Sequence, residues 1–269
     1  VDVEIVEVVT DGDRRTDIPL RSLGGQGIFA VEVQRAVMDG RADVAVHSAK
    51  DLPSVTPDEL VLASTPERRD AADVLVGRSL AGLGPGGTVA TGSPRRRALL
   101  SQRRPDLNFV ELRGNMAARL SAVDSPGIDS VIAAAAALER LGLTEKIAER
   151  LDPEWFVPQV GQGTLALEVR VNDHETLKAV SLINDDNVMR TLECERAFLS
   201  ELGAGCSIPA GAYAYLDRDE LVLSAVMADD DGICVLRHVD RDTQPSELGQ
   251  RVARHLRDVM GGGSLNSVR

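Results

Sequence analysis

The chain has 269 residues, a formal net charge of −12, and 43% hydrophobic, 27% charged and 3% aromatic residues. That length supports two or three modest domains rather than one small core, and the acidic balance argues against a general nucleic-acid binder. No apolar run approaches the roughly 20 residues needed to cross a bilayer, and no charged-then-apolar leader is read at the start.

In chain order, VDVEIVEVV (1–9) alternates apolar and polar residues and predicts a strand. GGQGIFAVEVQRAVMDG (24–40) predicts a glycine-rich loop and then a helix ending at Gly40. DVAVHS (43–48) is an apolar run that breaks into polar residues, as a buried parallel strand does at its exit. LVLAST (60–65) predicts another strand, and TVAT (88–91), NFVEL (108–112) and SVIAAA (130–135) each precede a helical pattern. This rhythm predicts parallel sheets flanked by helices. After Gly163 it changes: a strand at 164–170, helices near 173–183 and 187–202, then strands and a helix at 245–260 predict an antiparallel sheet with a packed helix, with DDDG (229–232) as its hairpin turn. The expectation is an α/β fold of two lobes with a smaller α+β C-terminal domain.

Polar groups cluster at the predicted strand exits, where open α/β sheets bind ligands. HSAKDLPS (47–54) offers Ser48, Lys50 and Asp51 within four residues. ATGSPRRRALL (90–100) places Thr91, Gly92 and Ser93 at a helix start, with Arg95 and Arg96 following, and a helix N-terminus with guanidinium forks favours carboxylate or phosphate. In ELRGNMAARL (111–120), Arg113 leaves the strand, Asn115 can cap a helix and Arg119 lies one turn further on. From Thr88 to Leu120 there are seven arginines against two acids, a basic island in an acidic chain. Each exit alone fits a surface ion pair or a plain helix cap; together they predict a cleft for a molecule with several carboxylates. The three cysteines, Cys194, Cys206 and Cys234, are widely spaced, which fits free thiols in a reducing compartment and no zinc spacing. Cys206 follows a helix and a Gly-Ala-Gly turn that exposes it, whereas Cys194 and Cys234 fit buried structural thiols. His47 is read as structural, and the four scattered histidines imply no metal.

HSAKDLP, TGSPRR, LRGNMAARL, ALERLGL (137–143), VGQGTLALEVR (160–170), ERAFLSELGAGCSIPAGAYA (195–214) and the weaker GGQGIF (24–29) together resemble the porphobilinogen deaminase (hydroxymethylbilane synthase) family, in the family's order and over essentially the whole chain. The resemblance implies two lobes like those of type II periplasmic binding proteins, crossed twice by the chain. They would comprise 1–68 with a return segment at 163–183, then 69–162, with a C-terminal domain at 184–269. It implies that Cys206 carries a dipyrromethane cofactor through a thioether, and that Asp51 is the catalytic carboxylate, stabilising the cationic azafulvene formed as ammonia leaves and helping to move protons. Lys50, Ser48, Thr91, Ser93, Arg95, Arg96, Arg113, Arg119, Arg140 and Gln162 would hold the acetates and propionates of cofactor and substrate. Four porphobilinogens would join in turn and be released as hydroxymethylbilane, without metal, nucleic acid or membrane, by a cytoplasmic monomer.

Two departures from the family pattern stand out. The family opens with a strand and helix carrying Arg-x-Ser-x-Leu-Ala, whereas this sequence starts at Val1 in what resembles the second strand. A fragment is therefore expected. The 1–9 strand would lose its neighbour at about 1–3 kcal/mol per unpaired backbone group, and a polypeptide with nothing more is expected to have weak or absent activity. Gln26 stands where many members have lysine. The competing readings are a two-lobed small-carboxylate-binding protein and a truncated, inactive deaminase; a binding module needs no exposed thiol on a third domain.

Overall fold

The computed structural model describes residues 2–9, 30–53, 55–203 and 209–265. Its first sheet holds three strands, β1 (Val44–Ser48), β2 (Leu60–Ser64) and β8 (Leu165–Arg170), in the order β1-β8-β2. The second holds five: β3 (Asp73–Gly77), β4 (Thr88–Ala90), β5 (Asn108–Val110), β6 (Ser130–Ala134) and β7 (Ile147–Leu151), in the order β5-β4-β6-β3-β7. The third is an antiparallel meander of β9 (Ala210–Asp217), β10 (Glu220–Ala228) and β11 (Val235–Asp242).

The sheets of the two lobes are not parallel throughout, contrary to the expectation from the strand–helix rhythm. β4 runs parallel to β5 and β6, but β3 is antiparallel to both β6 and β7, and β8 is antiparallel to both β1 and β2. The cause is the double crossing. β3 is the first strand after the chain leaves the first lobe and β8 the first after it returns, and each inserts between two strands of its new sheet against their direction. β3 and β7 also escaped the sequence reading.

Residues 2–9 form no strand, which corrects the second expectation. Val3 and Ile5 are 84% and 91% exposed. Alternation creates a strand only where an edge and a buried face receive it, and no described strand pairs with this segment.

Helices start where the sequence supplies caps. α1 (Val31–Met38) is the helix expected to end at Gly40, and the glycine-rich loop with Gln26 that precedes it lies outside the described residues. α2 (Pro94–Arg103) has Ser93 at its N-cap and proline in its first turn. In α3 (Met116–Ser121), Asn115 accepts from the Ala118 N–H at 3.0 Å. α4 (Ala135–Arg140) continues directly from β6. α5 (His174–Ser181) and α6 (Asp186–Leu202) are capped by Asp173 and Asp185. α7 (Pro245–Arg254) runs into a π-turn at His255–Val259, so the helix expected to continue to 260 loosens at its end.

The largest core lies in the C-terminal domain, where Phe198 and Leu199 of α6 and Leu248 and Val252 of α7 cover Leu221, Leu223 and Met227 of β10. Val226, on the opposite face of β10, joins the core of the second lobe beside Leu99 and Leu100 of α2. The C-terminal sheet therefore presses directly on the helix that carries Arg95 and Arg96.

Candidate active site

β1 ends at Ser48, and the next three residues, Ala49–Asp51, make a single tight turn closed by the Leu52 N–H on the Ala49 carbonyl at 3.3 Å. That turn is braced from three directions. The Ala49 N–H donates to the Thr164 carbonyl at 3.0 Å, and the Gln159 side-chain amide donates to the Lys50 carbonyl at 3.0 Å. The Arg196 guanidinium, from α6, donates to the Pro53 carbonyl at 2.9 Å. Gly161 has φ +72°, and a Cβ there would sit 2.9 Å from the Ala49 carbonyl carbon and 3.0 Å from the Lys50 nitrogen. Only glycine permits that approach. Below the turn, His47 Nε2 lies 3.1 Å from Glu168 Oε2, which also accepts from Gln34 at 2.8 Å. Burial alone would raise the Glu168 carboxyl; His47 and Gln34 hold it below the usual range. His47 is thus a buried structural histidine, as its lone position implied.

Lys50 and Asp51 face a group of cations. Burial pushes the Asp51 carboxyl up, against the pull of Lys50, Arg119 and His47. Burial pushes the Lys50 ammonium down, opposed by Asp51 and reinforced by Arg96. Burial lowers Arg119 as well, with Arg96 and Arg113 adding to it and Asp51 opposing. These mutual influences mark Lys50, Asp51, Arg96, Arg119 and Arg113 as one electrostatic unit, drawn from the exits of β1, β4 and β5. Arg119 is steadied by its own Gly114 carbonyl at 2.9 Å, and Arg113 lies 3.7 Å from Glu111.

Arg96 and the remaining expected ligands are held by internal partners, Arg96 (7% exposed) by Asp73 at 2.6 Å and the Ile132 carbonyl at 3.1 Å. Arg95 is 4% exposed and donates to the Val157 carbonyl at 2.7 Å and to Asp73 at 2.6 Å. The Gln162 amide donates to the Ala71 carbonyl at 2.7 Å and to Asp73 at 3.0 Å. Thr91 and Ser93 accept local amides, from Ser93 at 3.2 Å and Arg96 at 3.4 Å. Arg140 donates to the Gly163 carbonyl at 2.8 Å, at the crossing between lobes. Ser48 pairs with Leu165 in the sheet. Cys206 lies outside the described residues.

Sequence reasoning missed Asp73, Glu195 and Glu168, all fully buried. The available signal was an acid at the mouth of an apolar strand or on the buried face of a helix, as in ADVLVG and ECERAF. Such an acid needs a partner.

One carboxylate beside an ammonium and several guanidiniums can hold a polyanion and, at the same place, face a developing cation. Residues 1–178 match the porphobilinogen deaminase dipyrromethane cofactor-binding domain, and residues 189–258 match the porphobilinogen deaminase C-terminal domain. The chain belongs to the porphobilinogen deaminase family. Two curated porphobilinogen deaminases illustrate the relation. That of Oceanobacillus iheyensis is 42% identical over 94% of this chain and 83% of its own length, and that of a Roseiflexus species is 42% identical over 98% and 88%. Among solved structures, the methionine-binding protein MetQ aligns with 60% of this chain and 76% of its own at 16% identity and a TM-score of 0.41.

Family membership makes the chain an enzyme of tetrapyrrole biosynthesis with a dipyrromethane cofactor, and a carboxylate-binding module without chemistry is not favoured. The residues present suit that cofactor. Lys50, Arg96, Arg113 and Arg119 supply the cations that its carboxylates require, around one acidic side chain. Among the described residues, no group of three His, Cys, Asp or Glu could hold a metal, and no helix is long and apolar enough to cross a membrane.

Proposed function

We propose that the chain joins four porphobilinogen molecules head to tail, with loss of ammonia at each step, and releases the linear tetrapyrrole hydroxymethylbilane. The observation that carries this reading is the Asp51 carboxylate at the mouth of β1, with Lys50 and Arg119 the first cations acting on it. Lys50, Arg96, Arg113 and Arg119 pair with the acetate and propionate groups and fix the register of each incoming ring. As ammonia leaves with the C–N bonding pair, the aminomethyl carbon of the substrate becomes cationic. Asp51, poised beside it, supplies the opposing charge and takes up the proton released when the new C–C bond closes. The dipyrromethane, held through Cys206, supplies the pyrrole to which the first substrate is joined. The same carboxylate-holding role is extended to Ser48, Thr91, Ser93, Arg95, Arg140 and Gln162. We assign residues 1–68 with 163–183 to the first lobe, 69–162 to the second and 184–269 to the cofactor-carrying domain. The enzyme acts as a cytoplasmic monomer on porphobilinogen and the growing oligopyrrole, and its charge of −12 supports a role apart from nucleic acid.

Intact mass tests the reading. The purified protein is expected to exceed its sequence mass by two linked pyrrole units, and Cys206→Ser is expected to remove the excess. A folded wild-type chain of bare sequence mass that consumes no porphobilinogen would sink it.

A further inference from the structure

We propose that Asp73 is a positioning residue of this site, a buried clamp that locks Arg95 and Arg96 together so that Arg96 meets the carboxylates of the substrate with Lys50 and Arg119. The inference rests on the functional reading above for the identity of the substrate, and on hydrogen-bond geometry for the clamp.

Successive residues of a helix point about 100° apart, and two guanidiniums side by side repel. Here both turn onto one carboxylate. Asp73 Oδ2 accepts from Arg95 Nη2 at 2.6 Å, while Oδ1 accepts from Arg96 Nη2 at 2.6 Å, from Arg96 Nε at 3.0 Å and from Gln162 Nε2 at 3.0 Å. Each arginine has a second anchor, the Val157 carbonyl for Arg95 at 2.7 Å and the Ile132 carbonyl for Arg96 at 3.1 Å. Asp73 itself is 0% exposed, so it cannot touch a substrate and must act through its partners. Both arginines are nearly as buried as their clamp, Arg95 4% and Arg96 7% exposed. The Arg95 guanidinium also lies 5.6 Å from the Phe156 ring. Arg96 is the one whose charge bears on Lys50 and Arg119. Asp73 also acts on Lys50 in the opposite sense, so one buried anion balances a wall that would otherwise be cationic throughout.

The test uses Asp73→Asn, which keeps the shape and removes the charge, and Asp73→Glu, which keeps the charge and shifts it by one methylene. Three readouts are taken on purified full-length chains: the fraction carrying the pyrrole mass increment, KM and kcat for porphobilinogen, and calorimetric affinity for tricarballylate. Tricarballylate presents carboxylates but has no leaving amine. For Asp73→Asn we expect loading below a fifth of wild type and tricarballylate binding about tenfold weaker. For Asp73→Glu we expect partial rescue, with KM raised several-fold and kcat within twofold. A folded Asp73→Asn with wild-type loading, KM and tricarballylate affinity overturns the proposal. Failure of both variants to fold also overturns it, by making Asp73 a core residue alone. A wild-type chain that binds tricarballylate but gains no pyrroles sinks the functional reading instead, and the change in affinity between wild type and variants still decides the clamp.

Discussion

Asp51 works under opposing influences, burial pushing its carboxyl above the ordinary value of 3.8 while Lys50, Arg119 and His47 pull it down. The net shift is upward, so the proton stays on to a higher pH than for a free aspartate. Folding therefore favours the protonated form: the contribution to stability is full below the unfolded value and declines as pH rises through the folded one. Two outcomes follow for Asp51→Asn. Thermal unfolding at neutral pH is expected at the wild-type temperature or above it, while single-turnover chain extension slows by about 10²–10⁴-fold with the cofactor still attached. A rate near wild type would remove Asp51 from its role. In the wild-type protein the acid limb of the extension rate is expected above the usual carboxylate range. Lys50→Met, which removes the first of the influences lowering Asp51, is expected to move that limb to still higher pH. The legible part at this scale was the cluster of polar residues at the strand exits. The illegible part was that Arg95 and Arg96 both turn onto Asp73, because that carboxylate comes from a strand more than twenty residues earlier.

At the scale of elements, the turn that carries Lys50 and Asp51 owes its shape to the segment returning to the first lobe. Gly161 packs its α-carbon on the Ala49–Lys50 peptide, and Thr164 and Gln159 take up the backbone groups that the turn leaves open. Gly161→Ala adds a Cβ within 3.0 Å of that peptide at a φ that L residues avoid. The expected cost is about 1–3 kcal/mol of stability in urea unfolding, and kcat is expected to fall more than KM rises, since the displaced group is the Asp51 turn rather than the arginine wall. Capping residues made most helix starts readable: Ser93, Asn115, Asp173 and Asp185 each accept the amide that their positions promise. Strand direction was not readable. β3 and β8 carry the same apolar pattern whether they run parallel or antiparallel, and only the crossing decides.

For the molecule as a whole, Glu195 joins its parts. It is fully buried on α6, and its carboxylate accepts from Arg68 on the first crossing at 2.7 Å, from the Gly161 N–H on the second at 2.6 Å and from the Ala214 N–H of β9 at 2.8 Å. Arg68 continues to the Gln162 carbonyl at 3.0 Å and lies over the Tyr213 ring. One carboxylate thus ties both inter-lobe crossings to the C-terminal sheet. Glu195→Ala leaves the Arg68 guanidinium without its counter-ion and two buried amides without partners, at an expected cost of about 3–5 kcal/mol. Calorimetry is expected to show the single wild-type unfolding transition splitting into separate lobe and C-terminal transitions. One cooperative transition at a lower temperature would show that the apolar contact of Val226 with Leu99 and Leu100 couples the parts without Glu195.

Motif order, cap residues and hydrophobic periodicity were sufficient to identify the family, the alternation of strands and helices, and the three exits where charge gathers. All of these depend on neighbours within a few residues along the chain. The structure alone decided the mixed strand directions, the failure of 2–9 to form a strand, the shared hold of Arg95 and Arg96 on Asp73, and the partners of Glu195. Each depends on a partner far away in sequence: Asp73 meets Arg95 and Arg96 more than twenty residues on, and Glu195 meets Arg68 across 127. A buried charge states that it needs a counter-ion, but only packing says which one it finds.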